Sequence, residues 1–186
     1  MDVAAVARYT RQIALPEVGP EGQTRICAAR VLVVGPDAAA ETAAVYLRAG
    51  GVGQVSAREV APADGGAWLS ALAGVDLVVR IGFDDDAMLG AAKRLGLPVV
   101  VARATPGQVD LISFPRRAPA PETSLDVPAQ AAAPAAPGAA DVVAGTLAAA
   151  EALIRLARVG GDIGRVRHLR LPLDGGAPVA QEIGAA

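Results

Sequence analysis

The run Arg30-Val31-Leu32-Val33-Val34 ends on Gly35, and residues 38–49 follow with helical periodicity. A glycine at such a strand-to-helix turn is where backbone N–H groups can take phosphate oxygens. Here the glycine is followed by Pro36-Asp37-Ala38-Ala39-Ala40. Three Cβ atoms and a proline ring crowd a phosphate, and Asp37 places negative charge where phosphate charge would sit. The same residues suit a plain turn with Asp37 as helix N-cap. Residue types favour that turn over a redesigned anion pocket.

The other reactive groups are few. Asp84-Asp85-Asp86 offers three carboxylates to a hard cation. Consecutive helical side chains diverge, however, and acids at a helix start complement its dipole, so the trio reads as a cap and no metal site is expected. Cys27 and His168 are the single Cys and single His, which excludes a disulfide framework and a Cys/His zinc site within one chain. Cys27 reads as a small packed side chain and His168 as a strand-surface residue. Ser113, Thr123 and Ser124 lack a nucleophile-elbow context. Lys93, the only lysine, reads as solvated.

Composition narrows the classes further. The chain has 186 residues, a net charge of -2 and a pI near 5.4, which argues against a general nucleic-acid binder. Mean hydropathy is +0.40, yet no apolar run approaches the roughly 18 residues of a membrane helix. The start MDVAAVARYTRQ lacks the apolar core of a signal peptide, so a soluble cytoplasmic protein is expected. There are 43 Ala, and sixteen Arg against one Lys, a skew that suits a GC-rich genome and is not by itself a helix signal.

The elements that would position these groups alternate. Residues 16–29 suggest a short helix. Strands are expected at 30–35, 54–60, 76–81, 97–102 and 109–114, with helices at 38–49, 67–73 and 84–95. The unbroken β-branched runs are those of strands covered on both faces, and the alternation gives βαβ units. The expectation is one α/β domain, Rossmann-like, with a mostly parallel sheet flanked by helices. Residues 1–29 form its N-terminal helical arm and 30–114 its core. The Pro/Ala-rich segment 115–140 has no aromatic residue and reads as a flexible loop. Residues 141–186 give a helix, led by Asp141 and closed by Arg155 and Arg158, then a C-terminal β-hairpin split by Asp174-Gly175-Gly176.

Several segments resemble, in order, the ThiF/MoeB/HesA family, bacterial relatives of ubiquitin-activating enzymes. Arg8-Tyr9-Thr10-Arg11-Gln12-Ile13 is similar to its R-Y-x-R-Q-I. Leu15-Pro16-Glu17-Val18-Gly19, Glu21-Gly22-Gln23 and Ala29–Gly35 continue the likeness. Gly51-Val52-Gly53, Gly107-Gln108-Val109 and the helix at 142–156 are similar to later elements. The resemblance implies adenylation of the C-terminal glycine of a small sulfur-carrier protein, using ATP and magnesium, in a dimer. Gly35 matches the first glycine of the family's G-x-G-G-x-G nucleotide loop, and Glu59 stands where the family has a ribose-holding acid. Arg11, preceded by Arg8, matches an arginine that reaches across the dimer to the partner's nucleotide.

The departures are as specific. The loop's other glycines are absent. Sixteen residues separate Glu59 from Asp76, with no S-N-L-x-R-Q segment and no triphosphate arginine or lysine. Phe83 aligns with the magnesium aspartate. The region of the family's cysteine and C-x-x-C zinc ligands is replaced by 115–140. The losses favour a pseudoenzyme over an enzyme: a degenerate member without autonomous adenylation and without a cofactor. It would serve as a dimeric or supporting subunit, with itself or an active homologue, in activating a ubiquitin-like sulfur carrier. The alternatives are a minimal ATP-dependent adenylyltransferase that retains ATP and Mg²⁺, and a structural homodimer or nucleotide-binding scaffold. The pathway served, whether thiamine, molybdopterin, cysteine or other sulfur transfer, stays open.

Overall fold

The computed structural model describes residues 3–35, 37–58, 65–82, 86–105, 107–116, 138–157 and 166–183. Three short helices, α1 (Val3–Arg8), α2 (Thr10–Ile13) and α3 (Gly19–Ala28), lead into β1 (Arg30–Val34). Then follow α4 (Asp37–Ala49), β2 (Gln54–Arg58), α5 (Gly65–Ala71), β3 (Leu77–Ile81), α6 (Asp86–Leu95), β4 (Val99–Thr105) and β5 (Gln108–Phe114). The chain closes with α7 (Ala139–Ala157), β6 (Val166–Pro172) and β7 (Val179–Ile183).

The seven strands form one sheet in the order β2-β1-β3-β4-β5-β6-β7. The core strands β2, β1, β3 and β4 are parallel, as the alternation of strands and helices requires. Beyond β4 the pairing is antiparallel through β5, β6 and β7. Only residues 106 and 107 separate β4 from β5, too few for a parallel crossover but enough for a hairpin. That hairpin carries β4 to Thr105, past the expected end at residue 102. β6 and β7 form the expected C-terminal hairpin.

Helices cover both faces of the parallel half. On one side α4 and α7 bury Val31, Val33, Leu77, Val79 and Val100. On the other, Trp68 and Leu72 from the α5 region and Met88, Ala91 and Ala92 of α6 bury Leu32, Val34, Val78 and Val99. The double cover explains why β3 is buried at every position and reads as an apolar run broken only by Arg80. The boundaries have local causes. Asp76 stays outside β3 because its Oδ2 accepts the Arg30 backbone N–H at 2.8 Å. Asp141 caps α7, its Oδ2 accepting the Gly138 N–H at 2.8 Å. Gly51, at φ +94°, ends α4 by donating to the Arg48 carbonyl at 3.1 Å, as a left-handed glycine past a helix end does. Most of the 115–140 segment, and Arg158, lie outside the described residues.

Candidate functional site

The carboxyl ends of parallel strands are where α/β sheets build ligand crevices. Here Val34 of β1 lies between Arg58 of β2 and Arg80 of β3. Gly35 follows, its N–H donating to the Arg58 carbonyl at 3.1 Å. Gly35 has φ +154°, and a Cβ on it would stand 2.6 Å from the Ile81 carbonyl oxygen. A glycine is therefore needed here to let β1 pass β3. Only Pro36 separates it from α4, which begins at Asp37.

The alanines that follow are core residues. Ala39 is 2% exposed and Ala40 6%, and both belong to the cluster under α7. Arg80, 3% exposed, is already engaged in interactions of the protein itself. Glu59, the side chain of Asp37, and Phe83 with the Asp84–Asp86 side chains lie outside the described residues. Among the described residues, no group of three or more His, Cys, Asp or Glu gathers as metal ligands. Lys93 is exposed on α6.

The N-terminal arm is placed differently. Tyr9 packs its ring against Gly51, where a Cβ would come within 2.7 Å of the ring. Gln23, fully buried, donates through Nε2 to the Gly50 carbonyl at 3.0 Å, and the same nitrogen lies 3.8 Å from Cys27 Sγ. The half-buried Cys27 therefore packs beneath this clamp. Arg25 Nε donates to the Ala157 carbonyl at 3.0 Å, tying α3 to the end of α7. Tyr9 and Gln23 thus dock the arm on the glycine turn after α4. Arg8 and Arg11 take no part in that docking. Arg8 lies over the neighbouring Tyr9 ring, 5.5 Å from its centroid. Arg11 is exposed on α2 and forms no hydrogen bond or ion pair with the described residues. Val6 and Leu15, on either side of it, are 44% and 51% exposed.

Two charged clusters were not anticipated. Asp110, in the middle of β5, is 4% exposed. Its Oδ1 takes Arg170 Nε at 3.0 Å and His168 Nε2 at 3.1 Å, and its Oδ2 takes Gln108 Nε2. Burial pushes the Asp110 carboxyl up, but the hydrogen bonds from Arg170, Gln108 and His168 and the Arg170 charge outweigh it and hold the group below its ordinary value. His168 is therefore a partner of a buried acid rather than a plain surface residue. On the opposite sheet face Glu151 of α7, also buried, pairs with Arg155 and Arg167, each at 3.1 Å. A cavity of about 190 Å³ between α7 and β5–β7 is lined by Ser113, Glu151, Arg167 and Glu182 among others, away from Gly35. The available sequence signal was an acid inside a buried strand, Val109-Asp110-Leu111, facing alternate cations in Arg167-His168-Leu169-Arg170.

No protein-family model matches the chain. It is 46% identical over 55 residues to the SAMP-activating enzyme E1 of Haloferax volcanii, covering 30% of this chain and 20% of that protein. It is 49% identical over 53 residues to the sulfur carrier protein adenylyltransferase of Thermus thermophilus, covering 28% of this chain and 20% of that protein. The chain thus spans about a fifth of the length of these relatives. In fold it resembles PaaA, with a TM-score of 0.75 at 13% identity, over 100% of this chain and 76% of that one. It also resembles Escherichia coli MccB with AMPCPP and MccA, with a TM-score of 0.73 at 14% identity, over 96% of this chain and 72% of that one. The N-terminal motif, the seven-stranded mixed sheet and these likenesses agree: in sequence over its matched stretch and in fold, the chain is similar to ThiF/MoeB-like proteins.

Proposed function

We propose that this chain is a degenerate ThiF/MoeB-like subunit that does not adenylate by itself. It supports an active partner, a homologue or a second copy, in activating a ubiquitin-like sulfur-carrier protein. The observation that carries the reading is the contrast between its two ends of motif. Arg11 is exposed and unpaired among the described residues, on an arm whose Tyr9 and Gln23 are locked to the Gly50-Gly51 turn. A cation held out on a fixed support, between exposed Val6 and Leu15, suits contact across an interface.

The crevice after β1 speaks against a nucleotide of its own. Gly35 is the only glycine of the turn, Pro36 has no N–H to offer, and Ala39 and Ala40 are packed beneath α7. These residues do not fit a triphosphate cradle, which needs several backbone N–H groups within reach of the phosphates. Adenylation needs its developing charge held by such donors, cations and a metal ion.

The test is to co-purify the chain with an active homologue and the sulfur carrier, then assay adenylation with Arg11→Ala. A fall of about tenfold or more with assembly intact supports the trans-acting arginine; unchanged turnover would refute it. Titration calorimetry of the isolated chain with ATP and Mg²⁺ separates the alternative, since saturable binding would favour a minimal adenylyltransferase. That alternative has the activity named for the Thermus relative in its favour.

A further inference from the structure

Two rows of side chains cross the antiparallel half of the sheet on the face under α7. Leu111, Leu169 and Ala180 are in register across β5, β6 and β7, and so are Ser113, Arg167 and Glu182. Residues two apart on a strand share a face. An apolar row therefore lies beside a polar one. Both rows line the cavity of about 190 Å³, together with Glu151 of α7. Sites for drug-sized ligands span roughly 300–1,000 Å³, so this one suits a molecule of a few non-hydrogen atoms.

The polar row holds donors that the chain does not use. Ser113 is 1% exposed, and its Oγ has no hydrogen-bond partner among the described residues. A buried hydroxyl left in that state is uncommon. Arg167 commits Nη1 to the two Glu151 oxygens, at 3.4 and 3.1 Å. Its Nε and Nη2 donate to none of the described residues. Glu151 already accepts from Arg155 Nε as well, at 3.1 Å. Glu182 is exposed and is engaged in an interaction of the protein itself. A guanidinium edge and a hydroxyl are thus left to meet a ligand, and both can donate.

We infer that this cavity binds a small aliphatic monocarboxylate. Its carboxylate lies between Ser113 Oγ and the Nε/Nη2 edge of Arg167, whose paired N–H groups match two carboxylate oxygens. Its hydrocarbon tail lies on Leu111, Leu169 and Ala180. An ammonium head in the same place would face the Arg167 charge, and a long acid would outgrow the cavity.

The experiment is calorimetric titration of the whole chain with isovalerate, isovaleramide and isoamylamine, which share a branched tail and differ in head group. Isovalerate should bind saturably and at least about tenfold more tightly than the other two, the margin of a charge-assisted pair. Ser113→Ala removes no hydrogen bond of the chain, so its thermal midpoint should match the parent's while isovalerate affinity falls about tenfold. Ala180→Leu fills the tail end from an exposed position and should abolish binding. Trp68 emission checks that each variant is folded. No saturable binding of isovalerate, equal or tighter binding of the amide or amine, or parental affinity in either variant would overturn the proposal. The site shares no residue with Arg11 or Gly35, so it stands or falls apart from the trans-acting arginine.

Discussion

Gly145 of α7 sits on the carbonyl of Ala39 in the first turn of α4, so close that a Cβ on Gly145 would overlap the Ala39 oxygen. The two helices meet through small residues, Ala39, Ala40, Ala43 and Ala44 on one and Ala144, Ala148, Ala149 and Ala152 on the other, all buried. Gly145→Ala should lower unfolding stability by about 1–3 kcal/mol, as overpacking a filled interface does. Gly107→Ala, with open space around it, should stay within about 0.5 kcal/mol of the parent. Urea unfolding of the two variants checks the contrast.

Gly35→Ala forces a Cβ toward the Ile81 carbonyl and also a strained φ. The expected loss is about 1–3 kcal/mol or more. Gly19 also has a positive φ, +59°, but nothing within 4 Å. Gly19→Ala carries only the backbone strain and should cost less. Equal midpoints for the two variants would remove the steric role given to Gly35.

Asp110 gives the fold an acid-sensitive joint. Its folded-state carboxyl lies below the ordinary value, so its contribution is present above the unfolded value, near pH 4. It is lost as pH falls through the lower, folded value. Asp110→Asn should unfold more readily at neutral pH while losing part of the stability decline between pH 4 and pH 2. Parallel acid titrations followed by circular dichroism measure this, and an unchanged acid limb would show that other carboxylates set it.

Trp68 is the only tryptophan and is 0% exposed, packed in the cluster with Leu72 and Met88. Its emission should be blue-shifted in the native protein and move to the red on unfolding. Trp68→Ala should cost about 3–5 kcal/mol. A native emission already at the wavelength of free tryptophan would contradict that burial.

Much of the fold was legible because the parallel strands are covered on both faces. Leu77 to Ile81 must be continuously apolar apart from Arg80, and such runs are readable without coordinates. The R-Y-x-R-Q-I stretch was legible for a different reason: its residue types and spacing are specific. The place of His168 was not, because its partner Asp110 lies 58 positions away and meets it only through strand register.

The sequence alone determined the α/β class, the order of most elements, the likeness to the ThiF/MoeB family and the missing glycines after Gly35. These depend on local periodicity and residue identity. The tertiary structure decided what the alanines do. Their abundance first read as a compositional skew, yet α4 and α7 approach closely enough that only small side chains fit between them. It also decided that Tyr9 and Gln23 are used within the chain while Arg11 stays exposed. Whether a polar side chain is satisfied or left to a partner depends on groups distant in sequence, and only folding brings them within hydrogen-bond range.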